Sequence, residues 1–126
     1  FLNRRLTVEA AARAHVLALE RGRGENFEAL VISAPPPFQR TDVAALKVDA
    51  AAVVLATYPQ AAGLYADRGW SLPQTIGRIY DPARAEDVLG FRAKTDFAAI
   101  LAAMADGQPL PFAHDADYAS PLLSGA

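Results

Sequence analysis

Apolar residues recur along this chain in short blocks cut by glycine, proline and aspartate, and the make-up of each block predicts an element. Residues 8–20 are alanine, leucine, glutamate and other strong helix formers, which predicts a helix. Thr7 can cap it through its hydroxyl, Glu9 places negative charge near the positive end of the helix dipole, and Gly22 stops it. Leu6 and Val8 predict a short extended segment leading in. Residues 27–32 combine β-branched and aromatic side chains, with apolar groups on both alternating faces from Ala29 onward, the pattern of a buried strand. Ser33, Ala34 and the run Pro35, Pro36 and Pro37 end it, because prolines lack amide donors and fix φ. A loop at the carboxyl end of a strand is where open α/β folds place ligands.

Further along, Thr41 and Asp42 open a short helical turn through Leu46. Asp49 can cap a helix over 50–57 that Pro59 prevents from continuing unbroken. Residues 60–68 predict another helix, closed by Gly69; 70–73 read as extended, and 78–80 as a short strand. The clearest local grammar follows, with Asp81 as cap, Pro82 at the first helical position, 83–89 as body and Gly90 as stop. The last helix takes Thr95 as cap and Phe97, Ile100, Leu101 and Met104 as an apolar face at spacings of three and four, with Gly107 closing it. The expected fold class is α/β, helix-rich with two or three short strands. Residues 1–107 form one subdomain and 108–126 an irregular tail. So few strands need helices over them or a further sheet beside them.

Composition narrows the function classes. At 126 residues and 52% hydrophobic, the chain has the length and apolar content of one domain. Twelve basic and fourteen acidic residues leave a net charge of -2 with no gathered positive stretch, which argues against nucleic acid as a partner. The basic spots, Arg4 with Arg5 and Arg21 with Arg23, are too short for more than a local anion contact. Cysteine is absent, which removes disulfides, thiol nucleophiles and zinc-thiolate sites and agrees with a cytoplasmic location. No apolar run approaches the ~18 residues of a membrane span, so no membrane partner is expected. A start at Phe1 rather than methionine reads as a piece of something longer.

Candidate chemistry is sparse. The glycines form no G-x-G-x-x-G triplet to bring a helix amino terminus against a pyrophosphate. The tyrosine-lysine pair of short-chain dehydrogenases, in which a lysine four residues on lowers the tyrosine pKa, is missing, since Val43 and Gly90 stand four before the only lysines, Lys47 and Lys94. Tyr80 and Arg84 have that spacing but fall on different elements, and Tyr80 reads as a packing residue. His15 reads as a packed helical histidine bonded to backbone, and His114, Asp115 and Asp117 as weak metal ligands in the tail.

Three stretches, taken in order, resemble the carboxy-terminal region of the extended short-chain dehydrogenase/reductase family, the NAD-dependent epimerases and dehydratases. Residues 6–20 resemble its strand-to-helix segment ending Ala-x-Ala-His, here Ala12, Arg13, Ala14 and His15; 27–33 resemble the strand that follows. Residues 78–91, with Tyr80, Asp81, Arg84, Ala85, Leu89, Gly90 and Phe91, resemble its Tyr-Asp-x-x-Lys/Arg-Ala-x-x-x-Leu-Gly-Phe/Trp segment. Thr7 and Ala10 depart from a histidine and an aspartate of the family pattern. The resemblance implies a subdomain of a Rossmann-type fold that completes the pocket for a nucleotide-sugar substrate. Asn3, Arg4 and Arg5 fall where an arginine meets the substrate phosphates, a task suited to the planar guanidinium fork. Ser33 and Pro35 would line the pocket, and Arg68, Ser71 and Arg78 lie near a second phosphate-binding position, of which Arg78 is carried as a candidate. The resemblance implies NAD or NADP bound outside these residues, no catalytic, cofactor or metal residue within them, and a homo-oligomer as a further partner. The alternative is a non-catalytic interaction or ligand-binding module of the same subdomain.

Overall fold

The computed structural model describes residue 2, residues 5–21 and residues 27–111. Among the described residues, six α-helices and one 3-10 turn run in the order α1 (Val8–Arg21), the turn Arg40–Asp42, α2 (Val43–Leu46), α3 (Ala50–Thr57), α4 (Ala61–Ala66), α5 (Ala83–Leu89) and α6 (Phe97–Ala105). Short polar side chains set where several of them begin. Thr7 Oγ1 accepts from the Ala10 amide at 3.1 Å, Asp49 Oδ1 from Ala52 at 2.9 Å and Asp81 Oδ1 from Ala83 at 3.0 Å, each satisfying an amide that the helix itself leaves unpaired. Gly90 ends α5 at φ 63°, in the left-handed region, and Arg21 reaches across from α1 to donate from Nη1 to the Leu89 carbonyl at 3.0 Å.

The expected α/β class is overturned: among the described residues there is no strand. A strand exists only when a second backbone lies alongside to complete the ladder, and among the described residues the predicted strands have no such ladder. Leu30 and Ile32 pack on α1 and α5 while Glu28 reaches Arg84, but Phe27 is 95% exposed and Val31 43%, so one alternating face is inward and the other faces solvent. Nearby, among the described residues, the Ala34 amide donates to the Arg5 carbonyl at 3.1 Å. Residues 78–80 likewise form a connector. Two local assignments shift as well. Asp96, not Thr95, caps α6 by accepting from Ala99 at 2.9 Å, and α5 begins at Ala83, one residue after Pro82. Gly22 and the tail beyond Pro111 lie outside the described residues.

Two apolar clusters organise the molecule. The first gathers Leu2, Phe38, Leu46, Val54, Ile76, Phe97, Leu101 and Met104 among α2, α3, α4 and α6. The second gathers Ala14, Leu17, Ala34, Ala85, Leu89, Phe91 and Ala93 around α1 and α5. The chain passes between them over residues 2–6, 34–38, 79–85 and 93–97, because Leu2, Phe38, Ile79 and Phe97 belong with the first cluster and Leu6, Ala34, Ala85 and Ala93 with the second. These short crossings make a seam, and the cavities described below open along it.

Candidate functional site

The seam at residues 2–6 holds a cavity of about 340 Å³ lined by Leu2, Arg5, Tyr65, Trp70, Thr75 and Phe97, among others. Its aromatic wall is built on α4 and the turn after it. Gly69 at φ 65° reverses the chain, and the Trp70 amide donates to the Tyr65 carbonyl at 2.9 Å, which brings the two rings edge to face at 5.8 Å. Tyr65 also meets Phe97 at 6.4 Å, and Phe97 meets Tyr58 at 5.4 Å, so the wall is continuous with the core beneath it. Arg68 lies 6.0 Å from the Trp70 ring centre, within reach of a cation-π contact. The connector opposite is held by the Ile76 amide donating to the Leu46 carbonyl at 2.8 Å and the Ala50 amide donating to Gln74 at 2.9 Å. Arg5 supplies the cation, positioned by its carbonyl bond to Ala34.

Burial raises the Tyr65 hydroxyl above its ordinary pKa. Burial also raises Tyr58, with the nearby Asp96 carboxylate adding to the effect. Both shifts run opposite to the lowering that a tyrosine acid/base needs, so at neutral pH these phenols stay neutral. The site can bind, through an arginine fork, a threonine hydroxyl and aromatic faces.

A second and larger cleft, about 990 Å³, opens where 35–43 meets 79–86 and is lined by Pro35, Pro36, Phe38, Arg40, Tyr80 and Asp81, among others. Arg40 and Asp81 face each other there at 3.6 Å, both well exposed, a pairing of small energetic weight.

The candidates named from the sequence are therefore dispersed. Arg5 lines the aromatic cavity and Pro35 the larger cleft. Ser33 lines neither and is buried at 1% exposure, its Oγ without a hydrogen-bond partner among the described residues. Arg78 is exposed on the connector between Ile76, which lines the first cavity, and Ile79, which lines the second. Asn3 and Arg4 lie outside the described residues, as do His114, Asp115 and Asp117. No group of three metal-ligating side chains occurs among the described residues. His15 is exposed rather than packed, with Nδ1 donating to the Ala11 carbonyl at 2.8 Å. Sequence reasoning passed over Tyr65, Trp70 and Thr75. The nearest signal was the placing of the one tryptophan directly after Gly69, with a tyrosine five positions before it.

No family model, curated protein or solved structure matches this chain. Among the described residues no helix is long and apolar enough to cross a membrane.

Proposed function

We propose that this chain is the substrate-binding portion of an NAD(P)-dependent epimerase/dehydratase-like oxidoreductase acting on a nucleotide sugar, with dinucleotide binding and proton transfer performed by residues outside these 126. The observation that carries the reading is the cavity that Arg5 lines together with the aromatic pair Tyr65 and Trp70. A nucleotide sugar offers phosphate to a guanidinium fork and flat apolar faces to aromatic rings. A cavity of this volume falls within the ordinary size of small-molecule sites. The absence of a glycine triplet and of a tyrosine-lysine pair from the sequence agrees with this division of labour. A cytoplasmic location belongs to the same reading, supported by the cysteine-free composition.

Trp70 is the one tryptophan in the chain and lines the cavity, so its fluorescence reports occupancy directly. Titration with UDP-glucose and its relatives is expected to change that emission saturably, and Arg5→Gln to weaken the effect by about tenfold, as loss of a charged hydrogen bond does. NADH is expected not to bind. Tight NADH binding, or no response to any nucleotide sugar, would refute the assignment.

A second reading, a non-catalytic interaction module, is favoured by one observation. Val8, Val16 and Leu19 form an exposed stripe on α1, opposite the face that buries Ala14 and Leu17. A stoichiometric protein complex that survives Arg5→Gln and is lost when this stripe is made polar would favour that module.

A further inference from the structure

A third cavity on the seam, about 370 Å³, lies between the first turns of α1 and the segment that leads into α6. Two sequence periodicities place its charges. Along residues 91–94 burial alternates, with Phe91 and Ala93 inward and Arg92 and Lys94 exposed, so the two cations leave the same side of the segment. On α1, Glu9 and Arg13 are one helical repeat apart and share a face. Arg13, Arg92 and Lys94 therefore line one cleft with a single carboxylate, Glu9. Arg92 is steadied from outside the cleft by Glu86 at 3.3 Å.

The wall between these charges is fixed. Phe91 is 1% exposed, Thr7 Oγ1 is held by the Ala10 amide, and Thr95 Oγ1 donates to the Pro111 carbonyl at 3.3 Å. Other exposed arginines of the molecule meet carboxylates directly, as Arg84 meets Glu28 at 2.6 Å and Arg40 meets Asp81 at 3.6 Å. Arg92 does the same with Glu86 at 3.3 Å, while Arg13 and Lys94 reach the cleft from two separate elements.

We propose that this cleft binds a small phosphate-bearing anion, free phosphate or a phosphate monoester, between Arg13 of α1 and Lys94 and Arg92 of the facing segment. A doubly charged, three-oxygen group can meet cations arriving from two sides at once, and the arginine forks suit its geometry. The site is separate from the Arg5 cavity and does not depend on the function proposed for it.

The test is a titration of the labelled chain with inorganic phosphate and with glycerol 3-phosphate, followed by amide NMR shifts. Low ionic strength is needed, because exposed charges are screened over about 10 Å at 0.1 M salt. Saturating shifts are expected at Arg13 and over residues 92–95, with Arg13→Gln and Lys94→Gln each weakening affinity by about tenfold. Both side chains are exposed, so the variants keep the fold, which their spectra will show. Saturation by the ester alone identifies a phosphorylated metabolite, and saturation by both identifies a general phosphate site. Shifts confined to Arg5 and Trp70, no saturable shift, or unchanged affinity in both variants would overturn the proposal.

Discussion

The two apolar clusters are built from different materials. The one among α2, α3, α4 and α6 buries Phe38, Phe97, Ile76, Ile100, Leu46, Leu101 and Met104, large side chains that fill volume from several directions. The one around α1 and α5 is mostly alanine, with Leu17, Leu89 and Phe91 as its larger members, and it brings helices close rather than filling space between them. The outer surfaces differ in the same sense. Behind the alanine-rich cluster, α1 turns Val8 at 81% exposure and Leu19 at 87% to solvent, and Phe27 and Val31 stand open beside it. A helix apolar on two opposite faces is the kind found packed on both sides. The first cluster is therefore the more fully packed core, although Val48 and Trp70 stand open beside it, and the second is a thinner core with a longer apolar surface suited to further packing.

That contrast can be broken by mutation. Phe97→Ala removes a ring that is 2% exposed and touches both Tyr58 and Tyr65, and should cost about 3–5 kcal/mol in urea unfolding. Leu17→Ala, in the thinner cluster, should cost less, nearer 2 kcal/mol, because a shallow site collapses more readily. Equal costs would show that the two clusters are equally complete. Gly90→Ala is expected to destabilise by about 1–2 kcal/mol, since the residue is left-handed and an added Cβ meets the Arg21 guanidinium that ties α1 to α5.

A smaller effect appears at alkaline pH. Tyr58 and Tyr65 have raised folded-state pKa values, so the folded chain holds their protons more tightly than the unfolded one. Stability from them is complete below pH 10 and is lost as pH rises from there through the folded values, which denaturation at stepped pH with absorbance at 295 nm will follow. Phe97→Ala, by opening the wall beside both rings, should bring their ionisation back toward the ordinary value. The smallest effect is expected from Val16→Ser with Leu19→Ser, within about 0.5 kcal/mol, with less self-association on gel filtration. A loss of several kcal/mol would mean that the α1 stripe is already packed.

Helix starts were legible in the residues themselves. Thr7, Asp49 and Asp81 accept the amide bonds that their positions imply, because a cap is a contact over two or three residues. The choice between Thr95 and Asp96 was not legible, as both residue types can cap; Asp96 takes the Ala99 amide while the Thr95 hydroxyl donates to the Pro111 carbonyl. Residues 27–32 misled for a deeper reason. Their side chains have strand character, yet a strand is a property of two backbones, and no neighbour is present among the described residues. Of the candidate site residues named from the sequence, Arg5 is the one that lines the aromatic cavity, since the turn at Gly69 and the packing of distant elements are needed to bring Trp70 to the same space.

By itself the sequence determined where the helices lie and several of their starts, the lack of dinucleotide and tyrosine-lysine motifs, and the near-neutral charge, all of which depend on neighbours within a few residues or on composition. The tertiary structure decided that the described apolar residues divide into two clusters, that the chain passes back and forth between them, and that Arg5, Pro35 and Ser33 part company. The physical reason is range. Capping and propensity act through bonds made locally, whereas a cavity is the space left between elements that pack for reasons distant in the chain.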